Sequence, residues 1–100
     1  MLRVEFADPG LDRLETDPDY EDHGYAPAAV RGFRKVMQVI RAAKDERDLY
    51  AMNSLRFEKL KGDRAGQHSL RLNKQWRLIV TIKKGDPDNT IIVIEIVDYH

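Results

Sequence analysis

The sequence predicts an α+β fold: a short N-terminal strand and two N-terminal helices packed on a mainly antiparallel C-terminal sheet. Three observations carry this. Between Pro27 and Lys44 apolar residues recur every three or four positions, the spacing of one helical face. From His68 onward the period switches to two, as in half-buried strands. The links between the C-terminal strands are short, whereas parallel pairing needs a crossover of about a dozen residues or more. One hundred residues allow a single domain, 1–100.

Taken in order, Leu2-Arg3-Val4-Glu5-Phe6 alternates apolar and polar and reads as a short strand. Asp8-Pro9-Gly10 punctuates the chain, with Asp8 placed to cap a short helix from Pro9 to Thr16. Asp17-Pro18-Asp19 and Gly24 end it in an acidic loop. Pro27 suits the first turn of the main helix, in which Val30, Phe33, Met37 and Ile40 form the apolar stripe and Val36 and Ala43 widen it. Arg31, Arg34, Lys35, Gln38 and Arg41 fall largely on the other side. Asp45 to Met52 either extends that helix or makes a second turn. His68 to Leu72 alternates, and Asn73-Lys74 offers turn chemistry. Trp76, Leu78, Val80 and Ile82 mark one face of the next strand; Arg77, Ile79, Thr81 and Lys83 mark the other. Gly85 to Asn89 is a dense turn signal, and a β-branched strand runs from Thr90 to Tyr99.

Composition narrows the function classes. With 42% hydrophobic and 34% charged residues, the chain has a globular rather than a disordered composition. Its longest apolar run, Ile91 to Ile94, is far too short to span a bilayer, and Arg3 and Glu5 follow Met1 where a leader would be apolar. No membrane association is expected. The absence of Cys removes disulfides, Cys-based zinc sites and thiol nucleophiles, which fits a cytoplasmic protein. His23, His68 and His100 lack metal-ligand spacing, and Gly62 to Gly66 lacks the ending of a phosphate-binding loop. No Ser stands in a nucleophile motif. A reading without metal or cofactor is left by subtraction.

Zero net charge conceals a strong asymmetry. Residues 1–25 carry two Arg against eight acidic side chains, a net of −6. Residues 26–52 carry +3, residues 53–84 carry +7, and residues 85–100 carry −4. A polyanion senses local charge within a Debye length of about 8 Å, so a nucleic-acid partner is compatible with the neutral total. Cross-surface neutralisation is the alternative. Two regions could carry chemistry: the basic segment Leu55 to Gln67, with Arg56, Lys59, Lys61 and Arg64, and the ending Asp98-Tyr99-His100.

The stretch LRFEKLKGDRAGQHSLRLNKQWR, Leu55 to Arg77, followed by a strand ending in Asp98-Tyr99-His100, resembles the HigB-type toxins of the RelE/ParE superfamily. These are toxins of type II toxin–antitoxin systems, also called plasmid maintenance killer proteins. The likeness spans roughly residues 27–100 and is specific at the Leu-Lys-Gly-Asp-Arg-x-Gly turn, the x-Trp-Arg-Leu start of the central strand and the Asp-Tyr-His ending. It implies a ribosome-dependent mRNA endonuclease in which a ribose 2′-hydroxyl attacks the adjacent phosphate without a metal or cofactor. The implied partners are a cognate HigA-like helix-turn-helix antitoxin, the ribosome and mRNA.

The resemblance also implies roles. Arg77 and Lys61 match the cations that stabilise the phosphate, and His100 matches the proton-transfer residue. Tyr99 would stack a base or assist, with Asp98 orienting a neighbour. Arg56, a weaker candidate for the phosphate, joins Lys59, Arg64, Arg71 and Lys74 as an RNA-binding set. Glu58 departs from the pattern, because many relatives carry His there; a carboxylate titrates near 4.3 rather than about 6.5 and is no cation. In an ideal strand Tyr99 points opposite to Asp98 and His100. The alternatives are a non-enzymatic ParE-like toxin that binds DNA gyrase, and an inactive RNA-binding relative.

Overall fold

Capping chemistry sets where the helices begin in the computed structural model, which describes residues 1–21 and 23–98. After strand β1 (Arg3–Phe6), Asp8 is extended and its carboxylate accepts from the Gly10 N–H at 2.8 Å, opening helix α1 (Pro9–Thr16). Helix α2 (Pro27–Ala42) starts on Pro27 without a side-chain cap. It buries the expected stripe of Val30, Phe33, Val36, Met37 and Ile40. It stops before Lys44 because Ala43 turns extended, with ψ 141°. Asp45 then accepts from the Arg47 N–H at 2.9 Å and caps a separate helix, α3 (Glu46–Ala51). The helical layer therefore has three members rather than the two expected.

The sheet has five strands in the order β1-β5-β4-β3-β2. Strands β3 (Gln67–Arg71), β4 (Trp76–Lys83) and β5 (Thr90–Asp98) form the expected antiparallel meander. Strand β2 (Glu58–Lys59) lies within the basic segment Leu55 to Gln67, where no strand was expected, and pairs with Ser69 and His68 of β3. Strand β1 pairs parallel to β5, Arg3 opposite Thr90, so the sheet is mixed. A bulge in β5 shifts the register: Ile79 faces Glu95, but Val80 faces Val93. That extra residue puts Ile91, Val93 and Ile96 on the core face while Glu95 and Val97 fall on the other.

The helices cover one face of the sheet, where Leu70, Leu78, Val80, Ile91 and Val93 join Leu11, Leu14, Phe33, Met37 and Ile40 in one core. Helix α2 approaches the chain just after β3 so closely that a Cβ on Gly32 would sit 2.6 Å from the Leu72 carbonyl oxygen. The acidic N-terminal segment packs on the basic side of α2. Arg41 grips Glu15 with two bonds of 2.6 and 3.0 Å, and Arg34 donates to the carbonyls of Leu14 and Asp17. These α2 cations are thus committed inside the fold. No helix among the described residues is long and apolar enough to cross a membrane.

Candidate functional site

Register places a polar cluster on the sheet face that the helices do not occupy. Ser69 is paired with Glu58 and with Ile79, Arg71 with Arg77, and Arg77 with Val97. Side chains opposite one another on antiparallel strands stand about 4.5–5.5 Å apart at Cβ, so Arg71 and Arg77 bring two guanidinium groups to one patch. Arg77 is only 6% exposed. Its Nη1 donates to the Arg56 carbonyl at 3.4 Å and to Ser69 Oγ at 3.5 Å, and lies 3.6 Å from Glu58 Oε1. Arg56 itself ends the 3₁₀ turn Asn53–Leu55 with φ 46° and ψ 49°, a left-handed conformation that costs a non-glycine residue about 1 kcal/mol or more. Strain is thus held at the point where the backbone meets Arg77.

Around this centre, Arg71 donates through Nε to the Asn73 carbonyl at 3.2 Å. Arg64, in the turn Gly62–Arg64, reaches Glu95 at 2.6 Å and Gln67 at 3.1 Å. Lys61 stands exposed just before that turn. The arrangement is a buried cation ringed by more exposed cations, with the Glu58 and Glu95 carboxylates at the surface. A guanidinium held in this way has the geometry to pair with a planar or tetrahedral anion. Among the described residues, no group of three or more His, Asp and Glu could hold a metal ion.

Not every candidate joins the cluster. Lys59 is paired with His68, and His68 with Val80, so Lys59 stands on the helix side of the sheet. Asp98 is paired with Trp76, on the pleat face opposite to Arg77, and accepts from Gln75 at 3.2 Å. Lys74 is exposed in the β3–β4 turn. Tyr99 and His100 lie outside the described residues. Sequence reasoning missed Ser69 and Glu95. Ser69 was accessible from the alternation of His68 to Leu72, which puts it on the same side as Arg71; Glu95 was hidden by the β5 bulge.

Comparison with known proteins adds to this geometry. Residues 4–100 match the family described as "RelE-like toxin of type II toxin-antitoxin system HigB". The chain is 35% identical over 96 residues to Toxin HigB-1 of Vibrio cholerae serotype O1, covering 91% of this chain and 95% of that one. Its fold is similar to that of a YoeB/ParE toxin from Agrobacterium tumefaciens, with TM-score 0.62, 19% identity, and 99% and 100% of the two chains covered. It is also similar to a chain of the heterotetrameric YoeB-YefM toxin-antitoxin complex from Staphylococcus aureus, with TM-score 0.56, 20% identity, and 100% and 98% covered. At those identities the structural likeness is one of fold.

Proposed function

This chain belongs to the HigB-like family of RelE-like toxins of type II toxin–antitoxin systems, and from that premise we propose that it is a ribosome-dependent mRNA endonuclease, acting in the cytoplasm and neutralised by a cognate HigA-like antitoxin. The observation that carries the reading is the Arg77 guanidinium, buried in the sheet face away from the helices and held by backbone and hydroxyl oxygens. The Staphylococcus aureus assembly of the same fold supports an antitoxin partner.

The chemistry follows from the groups present. The ribose 2′-oxygen attacks the adjacent phosphorus, its proton passes to a base, and the bond from phosphorus to the 5′-oxygen breaks as that oxygen takes a proton. The products are a cyclic 2′,3′-phosphate and a free 5′-hydroxyl. Charge grows on the non-bridging oxygens, and Arg77 with Lys61 offsets it. Arg56, Arg64, Arg71 and Lys74 guide the RNA backbone, while the Glu58 carboxylate at the mouth of Arg77 gives way to the scissile phosphate. Proton transfer falls to His100 with Tyr99, which follow Asp98 directly in the chain. Val97, three residues before His100, is the strand partner of Arg77.

The test is induced expression with primer-extension mapping of cellular transcripts. Cuts confined to translated messages are expected. Intact messages together with broken chromosomal DNA would replace this reading with gyrase inhibition.

A further inference from the structure

On the helix side of the sheet, at its β2–β3 edge, lies a pocket of about 320 Å³ lined by Glu46, Tyr50, Lys59, His68, Ile82 and Lys84. We propose that this pocket is a ribonucleotide-binding site, with the base against its ring wall, a ribose hydroxyl on Glu46 and the phosphate on Lys59 and Lys84. It goes beyond the cleavage reading and does not depend on it, because Lys59 and His68 share the pleat face opposite to Arg77.

The wall is backed by an aromatic cluster. His68 stacks on Phe57 with centroids 4.9 Å apart and planes 15° from parallel, and Tyr50 meets Phe57 edge-on at 4.6 Å. Tyr50 is nevertheless 47% exposed, an aromatic surface left for a partner. Nδ1 of His68 is buried without a hydrogen-bond partner among the described residues. Packing alone does not require that nitrogen: a phenyl ring would stack on Phe57 as well and leave no buried polar atom unpaired. Burial, with the nearby Lys59 and Lys84 charges outweighing Glu46, pushes the imidazole below its ordinary range and keeps it neutral at pH 7. A neutral ring beside a phenol is a stacking platform for a nucleobase.

The charged groups choose the class of ligand. Lys59 makes no ion pair among the described residues, and Lys84 shares its charge with Glu46 at 2.8 Å. Glu46 also accepts from Asn89 at 3.0 and 3.1 Å, and these donors hold its carboxyl down at about 2. Each carboxylate oxygen has two lone pairs; Oε1 accepts from both Lys84 and Asn89 and Oε2 from Asn89, so one position on Oε2 remains for a hydroxyl donor. A fixed carboxylate repels a bare phosphate but accepts from a ribose, as acidic residues do in dinucleotide sites. Rings, carboxylate and ammonium groups around one pocket match the three parts of a ribonucleoside monophosphate, free or within an RNA chain.

The experiment is an NMR titration of the full chain, following the His68 and Tyr50 rings, with adenosine 5′-monophosphate, its 2′-deoxy analogue, inorganic phosphate and pentaadenylate RNA. The monophosphate should shift both rings saturably, the deoxy analogue should bind several-fold more weakly, and phosphate should leave the Tyr50 ring unmoved. Lys59→Ala, at an exposed position, should fold normally and weaken the monophosphate by about tenfold. Tighter binding of pentaadenylate than of the monophosphate identifies an RNA chain as the source; equal binding identifies the free nucleotide. No saturable shift with either, equal binding of phosphate, or indifference to Lys59→Ala would overturn the assignment. Transcript cutting is not read here, so this inference and the nuclease reading fail separately.

Discussion

Replacing Arg77 by Met separates what this residue does for the fold from what it does for chemistry. Its contacts to Arg56, Ser69 and Glu58, at 3.4, 3.5 and 3.6 Å, are long beside the roughly 2.7–2.9 Å of strong charge-assisted hydrogen bonds. Met in its place removes a desolvated cation but leaves the Ser69 hydroxyl and the Arg56 carbonyl without that donor, a loss of about 1–3 kcal/mol where such groups are buried. We therefore expect Arg77→Met to fold and to lose about 1–3 kcal/mol of stability, each kcal/mol lowering Tm by roughly 4–8 °C for a domain of this size. Loss of a fixed charge from the reacting phosphate is another matter. Removing one such stabilising group typically costs about 10²–10³ in rate, or roughly 2.7–4 kcal/mol. Thermal melting and primer extension on the same variant read both quantities. A folded Arg77→Met protein that cut messages within about threefold of the parent would refute the placement of the phosphate.

Glu58→His should keep or raise message cleavage, since it restores a group titrating near 6.5 beside Arg77; loss of cleavage in the mapped transcripts would show that the carboxylate has its own role. Gly32→Ala should cost about 1–2 kcal/mol in urea unfolding, because the backbone carbonyl of Leu72 has little room to yield and overpacking outweighs the roughly 1 kcal/mol gain in helix propensity. Glu46→Gln should cost about 1 kcal/mol at pH 7 after allowing for solvent screening. The folded carboxyl is depressed to about 2 from 4.5, so its contribution is complete above pH 4.5 and lost as pH falls toward 2. Parent and variant should therefore converge in melts near pH 2 and differ above pH 5; a constant gap across that range would contradict the assignment.

Local periodicity made much of this molecule legible. The Val30 to Ile40 stripe faces the core as its spacing requires, and the alternation of Trp76 to Lys83 separates the core side chains of β4 from Arg77 and Ile79. Partners distant in sequence were not legible. Alternation from Leu2 to Phe6 reveals a strand but nothing of its parallel pairing to β5, and two residues of β2 are too few to show a period. The run Ile91 to Ile94 is apolar on both faces, so it conceals the bulge that turns Glu95 and Val97 toward Arg77. Charge counting showed an acidic beginning and a basic middle, yet only packing shows Glu15 paired with Arg41 and Arg64 with Glu95. Adjacency in the basic segment grouped Lys59 with Arg56, Lys61 and Arg64, whereas the β2–β3 register sends it to the opposite face.

The proposed chemistry needs the nucleophile to come from the RNA itself. Its most direct measurement is cleavage by the purified protein, on programmed ribosomes, of a message carrying a single 2′-deoxy nucleotide at the mapped cut, with the ends of the all-ribose control analysed. We expect the control to yield a 2′,3′-cyclic phosphate and a 5′-hydroxyl while the deoxy message stays whole at that position. Cutting at the deoxy site, or 5′-phosphate ends on the control, would contradict it.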